Sequence, residues 1–183
     1  QAYEIARDFP RLRIVFAHML FLAQDLAELA RFLEENPSVS LDLSPGRYFY
    51  PALSSHPDEA RSFFRTFKAR LLFGTDCFFF SRSYLILPYE NQARAGAKLN
   101  FLRSFLETEE TLPNPYPFSA EKIPNIKGLS LERDILEHLY HKNFHSLYGL
   151  NPIKLNTPLV SEYLRAFGKR NPLDRKSVVE GKI

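Results

Sequence analysis

RLLFGTDCFF occupies Arg70 to Phe79. Its apolar start suggests a strand buried on both faces, yet the run gives way to Gly74, Thr75 and Asp76, placing a carboxylate where the chain leaves the sheet. Gly and Asp are ordinary turn residues, so this stretch alone is also compatible with a simple turn. A second stretch, RLRIVFAHMLF from Arg11 to Phe21, repeats the pattern: Ile14 to Ala17 is apolar and stops on His18. In a parallel sheet the C-terminal ends of all strands lie along one edge, so the side chains of His18 and Asp76 are expected at a shared crevice.

The intervening residues support a parallel sheet. Ala2 to Phe9 reads as a helix closed by Pro10, and Arg13 to Ala17 as the first strand. Leu22, Leu26, Leu29 and Leu33 then recur at helical spacing, with Asp25, Glu28, Arg31 and Glu35 opposite, which predicts an amphipathic helix to about Asn36. SVSLDLS, Ser38 to Ser44, alternates strictly and predicts a strand with two unlike faces. After an aromatic loop around Tyr48 to Tyr50, Ser55 and Asp58 form a candidate capping box, and Ala60, Phe63, Phe64 and Phe67 draw a second helical stripe. Leu71 to Asp76 is the third strand.

Strand, helix, strand, helix, strand with short connections implies βαβ units and an α/β fold. His18 and Asp42 are 24 residues apart and Asp42 and Asp76 are 34 apart. Both intervals suit the roughly 31 residues per unit of a (β/α)8 barrel, and they equally suit a doubly wound sheet. Further on, a helix is expected from about Glu90 to Leu106, a proline-rich excursion from Thr108 to Gly128, a helix capped by Ser130, a last short turn capped by Asn143, and a terminal helix from Thr157 to Gly168.

The 183 residues are 45% hydrophobic and 25% charged, the composition of a folded globular chain with one core. No stretch reaches the roughly 20 apolar residues needed to cross a bilayer, and no signal peptide opens the chain, so a cytoplasmic location is the expectation. The single cysteine, Cys77, excludes an internal disulfide framework; next to Asp76 it could approach a metal, but a buried free thiol is the commoner reading. DRKSVVEGK, Asp174 to Lys182, resembles a translated sequencing adapter, so 174–183 reads as a non-native tail and 1–173 as the fold, a fragment cut at both ends. Without that tail 21 basic residues face 19 acidic ones. With the basic residues scattered among acidic ones, no nucleic-acid partner is expected and none at a membrane. The expected partner is a small-molecule substrate, and a homo-oligomer is compatible with the sequence.

Candidate chemistry follows from strand parity. Ile14, Phe16 and His18 share one face, and Leu72, Gly74 and Asp76 another. Taken alone, His18 reads as a core histidine donating to a backbone carbonyl, and Asp76 as metal ligand or helix cap. Together, imidazole and carboxylate at one rim could bind a divalent ion and poise a water. Asp42 and Ser44 read as hydrogen-bonding residues near a strand end. His138, His141 and His145 carry no completing ligand and read as surface or packing residues.

FPRLRIVFAHM, then NPSVSLDLS, then RLLFGTD, and finally ILEHLYHKNFHSLYGL resemble, in that order, the C-terminal part of the amidohydrolase-related metal-dependent hydrolases, a group that includes aminocarboxymuconate-semialdehyde decarboxylase. The resemblance spans about Ile5 to Leu150. It implies about three βα units from the end of a TIM barrel plus C-terminal helices, with His18 ending the sixth strand, Ser44 near the end of the seventh and Asp76 ending the eighth. It further implies that Asp76 is a metal ligand and proton-transfer residue, and that His18 is a ligand or handles a proton beside the attacking water. Zinc is the implied ion, with manganese the alternative, and the implied reaction is hydrolysis or non-oxidative decarboxylation of a small carboxylated substrate. The family's paired histidines on the first strand have no counterpart here. HMLF after His18 and CFFFSRSY after Asp76 depart from the family's continuations and motivate one rival, a catalytically inactive barrel that acts as a binding or structural protein; a further alternative, suggested by related lactonases, is a metal-independent, lactonase-like hydrolase. The fragment by itself is expected to be inactive.

Overall fold

A computed structural model describes residues 2–46, 48–77, 92–115, 124–151 and 156–170. It contains the expected parallel sheet. β1 (Ile14–Phe16) pairs with β2 (Val39–Asp42), and β2 with β3 (Leu71–Leu72), in the order β1-β2-β3. Ile14 lies beside Val39, Phe16 beside Leu41, and Asp42 beside Leu72. The three C-terminal ends therefore share one edge.

α1 (Ala2–Asp8) precedes the sheet, and α2 (Leu26–Glu35) and α4 (Pro57–Phe67) are its crossovers. α2 starts four residues later than the leucine pattern predicts, because the Asp25 carboxylate accepts from the Glu28 N–H at 3.0 Å and fixes the N-terminus there. Leu26, Leu29, Phe32 and Leu33 of α2 are buried, as are Ala60, Phe63, Phe64 and Phe67 of α4. Each fully covered large side chain, Phe32 and Phe64 among them, contributes about 1.5–3 kcal/mol from burial.

Several local expectations fail for identifiable reasons. Ser55 does not cap α4: it ends α3 (Phe49–Ser55), and its hydroxyl donates to the Pro51 carbonyl at 2.6 Å, while His56 occupies the cap position without a side-chain bond. The aromatic loop is the start of α3, with Phe49 and Tyr50 only 3% and 2% exposed and packed on Phe105. β2 is not amphipathic, since Val39, Ser40 and Leu41 are all buried. β3 is two residues long because the Phe73 N–H donates to the Leu139 carbonyl at 3.0 Å instead of continuing the ladder. The excursion after α5 (Gln92–Glu107) contains an antiparallel pair, β4 (Thr111–Pro113) with β5 (Asn125–Lys127).

α6 (Arg133–Glu137), a wide π-type turn (His138–Lys142) and α7 (Asn143–Tyr148) follow. Ser130 caps nothing: Glu132 precedes α6. Asn143 is likewise no cap. Its buried amide donates to the Lys68 carbonyl at 2.6 Å and the Leu71 carbonyl at 2.7 Å, tying the last helix to the entry of β3. Arg70 performs a similar task that the sequence did not disclose: its guanidinium donates to the carbonyls of Val39 (2.6 Å), Leu33 (2.8 Å) and Asn36 (2.5 Å), fastening the end of α2 to the start of β2. Burial lowers the pKa of that guanidinium.

A second unit, Gly149–Ile183, holds α8 (Thr157–Arg170), where Asn156 accepts from the Leu159 N–H at 3.1 Å. The suspected tail, 174–183, lies outside the described residues. No helix among the described residues is long and apolar enough to cross a membrane.

Candidate active site

Directly after β1 the backbone enters the left-handed region and stays there for four residues: His18 (φ 56°), Met19 (φ 48°), Leu20 (φ 55°) and Phe21 (φ 58°). None is glycine, and each such residue costs about 1–2 kcal/mol against the right-handed alternative. The turn buries Met19 completely, leaves Phe21 exposed at 69%, and lays the His18 ring against the Phe21 ring at 4.9 Å between centroids.

The same turn brings the His18 ring to the end of β2. Its Nδ1 lies 3.0 Å from the Ser44 carbonyl oxygen and 3.1 Å from Ser44 Oγ. The Ser44 N–H donates to Asp42 Oδ1 at 2.5 Å, and the Ser44 hydroxyl donates to the same oxygen. Asp42, the last residue of β2, thus orients Ser44, and Ser44 holds His18. The carboxylate is pinned from the other side by Gly74. A Cβ there would come within 2.8 Å of Asp42 Cγ and 2.9 Å of Oδ1, and closer still to Oδ2, so any side chain at this position would have to displace the Asp42 carboxylate. The glycine of GTD therefore serves the neighbouring strand's carboxylate.

His18 lines a cleft of about 330 Å³ together with Phe21, Ala23, Gln24, Gly46, Tyr48 and Phe49. The expectation that the aromatic loop could line a pocket holds for the exposed Tyr48 and for one side of Phe49. Tyr50 instead plugs the core.

Asp76 leaves the sheet four residues past β3, at the same edge. It is half-buried with φ 51°, and its backbone carbonyl accepts from Lys98 Nζ at 3.3 Å. No hydrogen bond joins Asp76 to His18 or to Asp42 among the described residues, and Asp76 does not line the cleft beside His18. Cys77 is half-buried, its Sγ 3.8 Å from the Thr75 carbonyl oxygen and 3.9 Å from that of Ala95.

The donor types at this edge, a ring nitrogen and a carboxylate, suit a divalent ion in kind. They do not complete a site: no group of three or more His, Cys, Asp or Glu able to hold a metal occurs among the described residues. His141 and His145 are exposed, with ring centroids 5.9 Å apart. His138 is half-buried, and its Nδ1 is buried without a hydrogen-bond partner among the described residues. Sequence reading singled out His18, Asp42, Ser44 and Asp76, but not their wiring. The signal for it was the pairing of Asp42 and Ser44 two residues apart at a strand end, a spacing at which a side-chain oxygen reaches the backbone N–H of residue i+2.

Comparison with known proteins gives one match. Residues 1–155 fit the family model described as amidohydrolase. No curated protein and no solved structure matches the chain.

Proposed function

The chain belongs to the amidohydrolase family, and from that premise we propose that it forms part of a metal-dependent enzyme that hydrolyses or non-oxidatively decarboxylates a small carboxylated substrate. The family supplies hydrolase-type chemistry. The observation that supports the site is the chain of hydrogen bonds Asp42, Ser44, His18 at the C-terminal edge of a parallel sheet, ending on a cleft large enough for a small molecule. In this reading β1, β2 and β3 are consecutive strands of a (β/α)8 barrel, whose active sites lie at that edge.

His18 and Asp76 are the residues that would hold the ion, zinc or alternatively manganese, completed by donors from outside the described residues. When bound, such an ion acidifies a water and polarises a substrate oxygen. The chain's own residues do the rest. His18 has one ring nitrogen free of Ser44: where it does not hold the ion, it takes a proton there and, once charged, stabilises negative charge developing on the substrate. The Asp76 carboxylate accepts a proton and returns it to the leaving group or to the substrate carbon. Phe21 and Tyr48 flank the opening and limit water around the reacting atoms.

The test uses the full-length protein, assayed against small carboxylates for carbon dioxide release and against amides and lactones for acid release. Metal content is measured on the same samples. Asp76→Ala and His18→Gln are expected to lose at least about a hundredfold in turnover, the usual scale for a proton-transfer residue. Undiminished turnover in Asp76→Ala would remove the proposal.

A further inference from the structure

The contacts around His18 fix where its proton sits. A carbonyl oxygen can only accept, so the 3.0 Å approach of His18 Nδ1 to the Ser44 carbonyl requires a hydrogen on Nδ1. The second contact agrees independently. The Ser44 hydroxyl spends its one hydrogen on Asp42 Oδ1, the oxygen that also takes the Ser44 N–H, so Ser44 Oγ meets Nδ1 at 3.1 Å as an acceptor too. Nδ1 thus faces two acceptors. The other ring nitrogen has no hydrogen-bond partner among the described residues, and it is not a buried orphan: the single buried orphan nitrogen found among them belongs to His138. Nε2 is thus the ring nitrogen without a hydrogen-bond partner among the described residues, on a ring that lines the cleft.

We propose that Asp42 and Ser44 are positioning residues that keep neutral His18 protonated at Nδ1, so that Nε2 presents a lone pair to the cleft. The division of labour is specific. The Ser44 carbonyl and hydroxyl hold the ring, and Asp42 dictates which way the hydroxyl points. Gly74 leaves Asp42 the room to do so. Held this way, His18 can accept a proton from a ligand in the cleft or coordinate a cation, and as a neutral ring it cannot donate to either. The catalytic meaning of this arrangement rests on the proposed function, whereas the tautomer itself does not.

The measurement is long-range nitrogen–proton correlation NMR on the full chain labelled with 15N at histidine, at about pH 8, where an ordinary histidine is neutral. His18→Gln identifies the signal among the five histidines. Nδ1 should show the shift of a protonated ring nitrogen and Nε2 that of an unprotonated one. Asp42→Ala removes the oxygen that accepts the Ser44 hydroxyl hydrogen and frees that hydroxyl to donate to His18 Nδ1, so the Nε2-protonated share should rise several-fold. Ser44→Ala keeps the carbonyl and should raise that share less, while speeding exchange of the Nδ1 proton with water about tenfold. A wild-type ring protonated at Nε2 overturns the proposal. An unchanged tautomer in Asp42→Ala removes Asp42 from it, and unchanged tautomer and exchange in Ser44→Ala remove the hydroxyl. In the full-length enzyme Asp42→Ala should lower kcat about tenfold with little change in KM. If the tautomer is as stated and His18→Gln retains full turnover, the proposed function fails and this inference stands.

Discussion

Gly74→Ala probes the wiring of the rim with the smallest possible change. The backbone of Gly74 is outside the left-handed region, so an alanine meets no conformational penalty there, and its cost comes from contact alone. The added methyl would press on all three atoms of the Asp42 carboxylate group, two of them at 2.8 and 2.9 Å, well inside van der Waals range. The carboxylate has to turn away, which breaks its charge-assisted bonds from the Ser44 N–H and hydroxyl. Such bonds contribute about 1.5–3 kcal/mol each, and water recovers part of that at a half-buried site, so a net loss of about 2–4 kcal/mol is expected. Urea unfolding of the full chain measures it as a lower midpoint at constant slope. The control is the same substitution in an Asp42→Ala background, where the space is already vacated and the second change should cost under about 0.5 kcal/mol, giving strong non-additivity. A Gly74→Ala protein within about 0.5 kcal/mol of wild type, or an equal cost in both backgrounds, would refute the assignment of Gly74 to the Asp42 carboxylate.

Asn143→Ala should destabilise by about 2–3 kcal/mol, because the Lys68 and Leu71 carbonyls lose a buried donor at the entry of β3, and hydrogen exchange at Phe73 should accelerate with it. His138 predicts a pH dependence. Burial lowers its pKa, opposed chiefly by the Asp134 carboxylate, with Lys142 and Lys68 reinforcing the drop and Glu137 resisting it. The folded state therefore binds fewer protons than the unfolded one, so stability should fall as pH drops below about 6.5, and His138→Gln should flatten that limb in urea melts at pH 5.5 and 7.5. The carboxylates of Asp134 and Glu137, held low chiefly by hydrogen bonds from Lys68 and Lys142 respectively, titrate at more acidic pH and leave this window clear.

The sheet was legible in the sequence because the first and third strands are apolar runs followed by polar residues, because the middle one alternates, and because the intervening stripes at Leu26 to Leu33 and Ala60 to Phe67 have an unambiguous helical period. What stayed hidden depended on distant partners. Ser55 and Asp58 have the spacing of a capping box, but Phe49 and Tyr50 gain more by burying a helix, and Ser55 is spent as its end. The alternation of Ser38 to Ser44 promised a wet face, yet Ser40 and Ser44 are both buried, which no period-two pattern reports. Arg70 looks like one more surface charge until the three carbonyls of the α2 to β2 connection are seen around it. At the rim, the types of residue were readable and their order was not: the serine stands between the imidazole and the acid, and the glycine of GTD answers to Asp42 on the neighbouring strand.

Four consecutive side-chain-bearing residues wound in the unfavoured hand, 18 to 21, have an evolutionary corollary. Phe21, whose side chain is exposed, could change to glycine by mutation and relieve a standing penalty of about 1–2 kcal/mol, so selection for heat tolerance alone would erode this turn. A lineage that keeps it intact is trading ruggedness for the aim of one imidazole, and Phe21→Gly should raise the melting temperature while lowering turnover.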